Sequence, residues 1–318
     1  MDFQKIYEQL NFVGQCRRYK LPIWQCPQFL FLLMGLVTIG VALITYAIGT
    51  HYIVDPNTVS LTVLVVSIVL FVINFSITRS LEGLAEANQL KSEFISIVSH
   101  QLRSPLSNLK WAIEFLVSGR LGKIEEKQTS YFKILQENSG RMEELISDLL
   151  TVSRIEQGRL PLHKSAFSLE DLVKKALASF ELSVQAANVK IAFDVLSKPL
   201  PSALGDSAQI RLVIDNFLDN AIRYTKSGGK VKVTIKPKNK KHLFFSVSDN
   251  GVGVPKQDQK HIFQKFFRSS NALKHQTAGS GLGLYIAKSI VEGSRGKIGF
   301  QSQKNKGSTF WFTMPIKK

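Results

Sequence analysis

One histidine of the chain lies in a context that suits a nucleophile. His100 lies in the run Phe94-Ile-Ser-Ile-Val-Ser-His-Gln-Leu-Arg-Ser-Pro-Leu106, where apolar residues recur at helical spacing. Pro105 removes a backbone hydrogen bond from that helix, so a local kink is expected five residues after the histidine. A neutral imidazole is a competent nucleophile near pH 7, although a helical histidine also has a purely structural interpretation.

A second polar cluster is Asp215-Asn-Phe-Leu-Asp-Asn-Ala-Ile-Arg-Tyr224. Asn216 and Asn220 are four residues apart and would therefore share one face of a helix. Their side-chain oxygens could hold a hard cation such as Mg²⁺, which prefers oxygen ligands. Arg223 and Tyr224 add a charge that can pair with phosphate and an aromatic surface.

Two glycine-rich segments complete the candidate chemistry. In Ser248-Asp-Asn-Gly-Val-Gly-Val254, glycines let the backbone approach a ligand, and Asp249 can accept a hydrogen bond from an amino group. In Gly279-Ser-Gly-Leu-Gly-Leu284, glycines precede a helix whose N-terminal N–H groups attract anions. Neither segment matches the dinucleotide-binding glycine pattern or the Gly-x4-Gly-Lys-Ser/Thr phosphate loop. Each cluster is weak evidence alone.

Strand-like and helical runs alternate over residues 165–318, which predicts an α/β domain around these clusters. The predicted strands are Val189–Val195, Lys230–Lys236, His242–Val247, Lys297–Ser302 and Ser308–Met314. The predicted helices are Leu169–Ala187, Ser207–Tyr224 and Gly281–Glu292. Ser168 with Asp171 resembles a helix capping box.

The His100 helix requires a partner for its apolar seam. Gly119 and Gly122 interrupt the helical pattern, and a second run then ends near Gly158. The apolar seam of this second run is Leu135, Met142, Leu145, Leu149 and Val152. Because two antiparallel helices cannot bury both seams alone, a dimeric four-helix bundle is expected.

The N-terminal part has the composition of a membrane hairpin. The 58 residues from Leu21 to Thr78 contain one charged side chain, Asp55. Phe29–Gly49 and Thr58–Ile77 are each long enough to cross a hydrocarbon core of about 30 Å as a helix. Turn-forming residues separate the two runs. The alternative, a buried hairpin of a soluble protein, would need more surrounding chain than this sequence offers.

Basic residues at the span ends predict the orientation of the hairpin. Arg17, Arg18 and Lys20 precede the first run and Arg79 follows the second, whereas the loop 50–57 has no Lys or Arg. Both termini are therefore expected in the cytoplasm, with the chain in the inner or plasma membrane. A signal peptide is not expected, because a second span follows closely.

The net charge of +17 is concentrated in one half of the chain. Residues 160–318 carry 26 Lys and Arg against 10 Asp and Glu. The clustered lysines are Lys226, Lys230, Lys232, Lys236, Lys238, Lys240 and Lys241. A solvated face is the simplest interpretation, and attraction to an anionic membrane leaflet is an alternative. Nucleic-acid binding is not expected, because no reading helix or aromatic platform is evident in the sequence.

Five motifs in this order closely resemble the membrane-bound sensor histidine kinases of two-component signal transduction, over about residues 90–318. They are an H box at 94–106, an N box at 209–224, a first glycine box at 249–253, an F box at 262–268 and a second glycine box at 279–283. The resemblance implies a helical-hairpin phosphoacceptor domain that dimerises into a four-helix bundle. It also implies a two-layer α/β sandwich that binds ATP.

The resemblance implies that His100 attacks the γ-phosphate of ATP and becomes phosphohistidine. The phosphoryl group would then pass to an aspartate of a response regulator receiver domain. Asn220 would ligate Mg²⁺ beside Asn216, and Arg223 would lie near the phosphates. Such transfer needs mainly positioning and charge neutralisation.

The family pattern also implies contacts to the base and a lid. Tyr224 would line the adenine pocket, and Asp249 would bond the adenine amino group. The segment from Gly253 to Gly283 would cover ATP. Its expected nucleotide-contacting residues, with those of the glycine boxes, are Gly251, Gly253, Phe263, Lys265, Phe266, Arg268, Gly279, Ser280, Gly281, Leu282 and Gly283.

Two positions beside the histidine depart from the family pattern. Gln101 stands where the family usually has Glu or Asp, and an amide can orient the imidazole but cannot take up its proton. Ser104 stands where Thr or Asn often supports phosphatase activity. Slow autophosphorylation is therefore expected.

Alternative functions follow from these departures and from the fold. One is a membrane-anchored scaffold that binds ATP, and another is a family member that acts mainly as a phosphatase. Gyrase-like and chaperone ATPases share the nucleotide fold but lack the His100 segment. The expected organisation is an N-terminal segment 1–28, two spans within 29–77, a connector 78–91, a phosphotransfer domain 92–160 and an ATP-binding domain 165–318.

Overall fold

The structure is a computed structural model that describes residues 26–317, except 54, 121, 123, 159, 161, 198 and 271–278. The N-terminal segment 1–25, with its basic residues, lies outside the described residues. The chain divides into two compact units between Ile97 and Val98.

Three long helices occupy the first half of the described chain. They are α1 (Pro27–Tyr52), α2 (Pro56–Val117) and α3 (Glu126–Glu156). The turn before α2 is held by Asp55, whose carboxylate accepts hydrogen bonds from Asn57 N at 3.1 Å and Thr58 Oγ1 at 2.6 Å. No break separates the second apolar run from the His100 segment, because α2 is continuous through both.

The apolar runs of α1 and α2 are not buried as a soluble core would be. In the most apolar 18-residue window of each helix, 0% of α1 and 11% of α2 lies buried. Asn74 is an exception, since it is buried and its side-chain amide donates to Phe31 O at 3.3 Å. Both helices are long and apolar enough to cross a membrane, which is weak evidence taken alone.

The C-terminal part is an α/β domain with two sheets. Its helices are α4 (Leu169–Ser179), α5 (Glu181–Ala186), α6 (Ser207–Tyr224) and α7 (Gly283–Gly293). Its strands are β1 (Ser165–Phe167), β2 (Lys190–Val195), β3 (Ala203–Gly205), β4 (Lys230–Asn239), β5 (His242–Asp249), β6 (Lys297–Gln303) and β7 (Gly307–Pro315). The five predicted strands are confirmed, and so are the predicted helices Ser207–Tyr224 and Gly281–Glu292, the latter to within two residues.

The main sheet has the order β2-β4-β5-β7-β6, and its neighbours are antiparallel except for the parallel pair β2-β4. Strands β1 and β3 form a separate antiparallel pair that the sequence pattern did not indicate. Helices α4, α6 and α7 pack their apolar sides on one face of the main sheet. Phe217 of α6, Phe245 of β5 and Phe312 of β7 are fully buried at the centre of this core.

One predicted helix is divided in the structure. The run Leu169–Ala187 forms α4 and α5 with Phe180 between them, because the Phe180 N–H bonds to Leu177 O and its side chain packs against the core. The Ser168 cap is present, since its hydroxyl accepts from Asp171 N at 3.1 Å. A tertiary contact has thus overridden the local helical pattern.

Candidate functional site

A cavity of about 610 Å³ lies beside α6, at the end of β5, the start of α7 and one side of α3. Eleven of the residues that the sequence assigns to a nucleotide line it. They are Asn216, Asn220, Arg223, Tyr224, Asp249, Gly253, Arg268, Gly279, Ser280, Gly281 and Gly283. These eleven residues, which lie up to 67 positions apart in the chain, therefore share one cavity.

Helix α6 supplies the amide cluster. The helix is fixed at its start by Asp206, whose carboxylate accepts from Ala208 N and Gln209 N at 3.0 and 3.1 Å. On the cavity side, Asn220 Nδ2 donates to Asn216 Oδ1 at 3.1 Å. This bond orients the two amides and leaves the Asn220 oxygen as the ligand atom that can meet a cation.

Arg223 is already paired in the structure. Its Nε donates to Asp219 Oδ1 at 2.6 Å, one helical turn back on α6. Burial raises the pKa of the Asp219 carboxyl, and the Arg223 charge and hydrogen bond act against that rise. A phosphate that recruits Arg223 must therefore compete with a carboxylate.

Asp249 ends β5 with its carboxylate at the cavity. Its Oδ1 accepts from Gly251 N at 2.8 Å and Ser308 N at 3.2 Å. Burial raises the pKa of this carboxyl, and the two backbone hydrogen bonds oppose the rise. One oxygen is thus fixed by the protein, and the other can accept from a ligand amino group.

Two glycines are required by close backbone approach at the cavity. A Cβ at Gly283 would collide with the side-chain amide of Asn216, so the first turn of α7 lies directly against the amide cluster. Gly281 has φ +68° and packs on the backbone of Phe266. The N-terminus of α7 is thereby directed to the cavity, where its N–H groups suit an anion.

Helix α3 contributes side chains that the sequence analysis did not assign to the site. Glu144, Ser147, Asp148 and Thr151 line the same cavity. Ser280 Oγ donates to Asp148 Oδ2 at 2.8 Å, which joins the second glycine box to α3. Their spacing of three and four residues along α3 is a polar stripe next to the apolar seam, and this stripe is the signal that could have identified them.

The pKa values of both cavity carboxyls on α3, Glu144 and Asp148, are raised. Burial raises the pKa of Asp148, and the Ser280 hydrogen bond opposes the rise. Burial also raises the pKa of Glu144, with opposition from Arg223. The cavity is lined by the carboxyls of Glu144, Asp148, Asp215, Asp219 and Asp249 and by two arginines, Arg223 and Arg268. In this arrangement the lining favours cations over an uncompensated polyphosphate.

Five of the expected nucleotide residues do not line the cavity. They are Gly251, Phe263, Lys265, Phe266 and Leu282. Lys265 is instead paired with Glu156 at the end of α3 and lies 5.0 Å from the Tyr285 ring centroid. Phe263 packs edge-on against Phe300, and Phe266 is 64% exposed at φ +60°. The F box thus contacts α3 and the sheet in this structure.

The His100 segment lies apart from the cavity lining. His100, Gln101 and Ser104 are all exposed on α2, and none of them lines the cavity. Pro105 lies inside the helix, and Leu106 behind it is buried. Helices α2 and α3 are joined by an ion pair between Lys110 and Glu143 at 3.0 Å. The imidazole is therefore accessible to a reagent from solution.

Two family models match the chain. "His Kinase A (phospho-acceptor) domain" matches residues 90–158, and "Histidine kinase-, DNA gyrase B-, and HSP90-like ATPase" matches residues 205–318. The first model contains the exposed histidine, and the second contains the cavity residues of α6, β5 and α7. A phosphoacceptor domain followed by an ATPase-type domain is the arrangement of a histidine kinase.

Relatives agree with this arrangement. Drug sensory protein A of Synechocystis sp. is 32% identical over 242 residues, which is 73% of this chain and 36% of that protein. Adaptive-response sensory kinase SasA of the same organism is 31% identical over 246 residues, 76% of this chain and 63% of that protein. The crystal structure of ShkA in complex with AMPPNP has a TM-score of 0.59 at 28% identity and covers 70% of this chain and 46% of that one.

The chain belongs to the sensor histidine kinases of two-component signalling. It spans between about a quarter and two thirds of the length of the curated relatives it matches.

Proposed function

We propose that this protein uses ATP to phosphorylate itself on His100 and then passes the phosphoryl group to an aspartate of a response regulator. The observation that carries the proposal is the single cavity in which the N box and both glycine boxes meet, in a chain whose other domain offers an exposed histidine. In this proposal the domain of residues 92–160 carries the phosphoacceptor histidine, and the domain of residues 165–318 binds ATP.

The transfer is balanced without a further reactant. An imidazole nitrogen of His100 bonds to the γ-phosphorus while the bond from that phosphorus to the bridging oxygen breaks, which releases ADP. The imidazole loses its N–H proton to water or phosphate, because the Gln101 amide cannot take it up. The carboxylate of the receiver aspartate then attacks the same phosphorus, and the His100 imidazole leaves.

The cavity residues have distinct tasks toward ATP. Asp249 accepts a hydrogen bond from the adenine amino group through the oxygen that its backbone partners leave available. Tyr224 lines the pocket for the adenine base, and the N–H groups of the first turn of α7 bind the phosphates. The related ShkA structure contains AMPPNP, which supports the same ligand class here.

Asn220 is the residue that would hold Mg²⁺. The hydrogen bond from its Nδ2 to Asn216 leaves its amide oxygen as the hard ligand that Mg²⁺ prefers. When bound, Mg²⁺ neutralises phosphate charge. The described residues contain no group of three or more His, Cys, Asp or Glu that could bind a metal by itself, so the nucleotide phosphates would supply the remaining ligands.

Ser104 could position a water molecule that hydrolyses the aspartyl phosphate of the regulator, which releases inorganic phosphate and the free aspartate. Its hydroxyl lies exposed one helical turn after His100 on α2. A protein that acts mainly as a phosphatase is the alternative that Gln101 favours, since the missing acid weakens autophosphorylation.

The protein acts as a membrane-anchored homodimer in this proposal. The apolar side chains of α1 and α2 are exposed along both helices, as a lipid contact requires. Apolar residues of the hairpin are exposed as well, including Leu109, Leu135 and Leu145, and a second copy would cover them in a four-helix bundle. Both termini lie in the cytoplasm.

The test uses the full chain reconstituted in lipid nanodiscs with γ-labelled ATP and Mg²⁺. Wild type should acquire acid-labile label, and a purified receiver domain should then remove it. Without His100, in His100→Ala, no label should appear. If wild type binds ATP with normal affinity but neither labels itself nor dephosphorylates a receiver, the scaffold alternative replaces the proposal.

A further inference from the structure

The face of the main sheet opposite the helices is strongly basic. Residues that alternate with the buried core positions point to this side, and six of them are lysines: Lys190, Lys230, Lys232, Lys236, Lys238 and Lys297. We name these six residues the lysine face. Among the described strand residues on this side, Asp194 is the one acid, and it pairs with Lys232 at 2.9 Å.

Two aromatic rings lie among these lysines. Phe244 and Trp311 are stacked, with ring centroids 5.9 Å apart and an interplanar angle of 26°. The Lys236 ammonium lies 5.3 Å from the Phe244 centroid, and the Lys238 ammonium lies 5.5 Å from the Trp311 centroid. Trp311 fits closely over Gly299 of β6, where any Cβ would collide with the indole. No aromatic platform was evident in the sequence, and the stacked pair of Phe244 and Trp311 corrects that expectation.

This combination of lysines and aromatic rings is complementary to an anionic lipid surface. Each basic residue near such a surface contributes about 1 kcal/mol, which is about fivefold in a binding constant. Indole side chains favour the level of the lipid headgroups. The same chain carries two exposed apolar helices of spanning length, so a bilayer is a partner already present at high local concentration.

A single-stranded nucleic acid fits the face less well. Such ligands stack their bases on exposed aromatic faces. Here the two rings stack on each other, and ammonium groups already lie over them, so bases would have to displace both contacts. The lysine ammoniums are point charges that suit many separate phosphates, as a headgroup layer presents them.

We infer that the lysine face, with Phe244 and Trp311, docks the ATP-binding domain on anionic phospholipid headgroups. The inference rests on the membrane anchoring in the proposed function and goes beyond it, because it places the catalytic domain at the bilayer surface. Docking would make the position of the domain sensitive to lipid charge and salt.

The test measures the distance of Trp311 from lipid headgroups in the full chain. Trp24 and Trp111 are replaced by Phe, which leaves Trp311 as the single tryptophan of the three. The protein is reconstituted in nanodiscs of neutral or part-anionic lipid that contain a headgroup nitroxide, a fluorescence quencher. We expect quenching in anionic discs at low salt and its loss at about 1 M salt, where the Debye length is about 3 Å.

Charge-reversal variants make the result specific to this face. Lys236→Glu with Lys238→Glu should abolish the quenching, whereas the matched control Lys174→Glu with Lys175→Glu, at exposed positions of α4, should retain it. Equal quenching in neutral and anionic discs, or quenching that survives Lys236→Glu with Lys238→Glu, overturns the inference. Absent quenching in anionic discs overturns it too, and so does loss of the Trp311 quenching when a single-stranded oligonucleotide is added.

Failure of the anchoring itself would be recognised separately, because the protein would then not copurify with nanodiscs at all. A protein that incorporates into discs but shows no Trp311 quenching contradicts only the docking of the lysine face.

Discussion

The polar residues of the cavity and those of the His100 segment differ in how their surroundings hold them. Around the cavity, Asn216, Asn220 and Asp249 are fixed by hydrogen bonds at 2.8 to 3.2 Å, and Gly283 is in close contact with Asn216. On α2, His100 and Gln101 lie exposed on one turn of a helix.

The difference indicates how binding and reactivity are distributed. A cavity with fixed acceptors can select a nucleotide before any chemistry occurs, because little ordering is left for the ligand to impose. An exposed histidine can be reached in turn by ATP and by a receiver domain. The Ser280–Asp148 bond joins the second glycine box to α3 at one side of the cavity.

The largest effect should come from removing the acceptor alone. In His100→Ala, autophosphorylation should fall below detection, because the imidazole that accepts the phosphoryl group is removed. ATP affinity should be unchanged, since His100 does not line the cavity. Radiolabelling and equilibrium nucleotide binding on the same preparation separate the two quantities. A parallel loss of nucleotide binding would show that the two regions are not independent.

Restoring an acid beside the histidine should have the next largest effect. We expect Gln101→Glu to raise the autophosphorylation rate, by up to about 10²-fold if proton removal limits the step. The matched control is Gln136→Glu, which adds the same charge at an exposed position of α3. Single-turnover rates at saturating ATP are the measurement. An unchanged or lower rate in Gln101→Glu would remove proton transfer from the account.

A change in the cavity should affect binding and leave the acceptor competent. Asp249→Asn keeps one oxygen for Gly251 N and Ser308 N but presents an amide nitrogen to the adenine amino group. Loss of a hydrogen bond to a charged group, about 1.5–3 kcal/mol, corresponds to about 10–100-fold weaker ATP binding. Calorimetric titration measures this, with Asp194→Asn on the opposite sheet face as the control. Equal affinity in wild type and Asp249→Asn would exclude the adenine contact.

A substitution on α3, Asp148→Asn, is expected to strengthen ATP binding by a smaller factor than Asp249→Asn weakens it. Burial raises the pKa of Asp148, so its charged form is disfavoured in the folded protein. Asp148→Asn should therefore tighten ATP binding several-fold at pH 8. The variant lacks the carboxylate that competes with phosphate for Ser280 and that would repel phosphate.

The stability of Asp148→Asn relative to wild type should depend on pH, and the direction of this dependence tests the burial of Asp148. A raised folded-state pKa costs no stability below the unfolded-state pKa. The cost grows as the pH rises between the two pKa values, and it is complete above the folded-state pKa. Thermal unfolding should show Asp148→Asn more stable than wild type at pH 8, with the difference fading as the pH falls through the raised pKa. A stability gain that grows toward acid pH would contradict the burial argument.

The helix that carries the amide cluster was predictable from the sequence, because its apolar periodicity and the spacing of its two asparagines are short-range patterns. The helix Ser207–Tyr224 begins and ends as predicted, since its apolar periodicity and its cap are both local signals. The pairing of Asn216 with Asn220 follows from their spacing of four.

Contacts between distant segments were not accessible in the same way. Asp148 meets Ser280 across 132 residues of chain, and no local pattern connects them. Lys265 was assigned to phosphate on the basis of its motif, yet it pairs with Glu156. The short strands β1 and β3 are three residues each, too short for a periodic signal. These features are decided by packing between elements.

Locating the phosphoryl group on the chain tests the central claim most directly. Wild type in nanodiscs is incubated with Mg²⁺ and ATP, digested at neutral or basic pH, and sequenced by mass spectrometry with phosphohistidine standards. We expect phosphate on His100, and this phosphate should be lost after brief acid treatment. Acid-stable phosphate on a serine, threonine or tyrosine, or phosphate on another histidine, would contradict it.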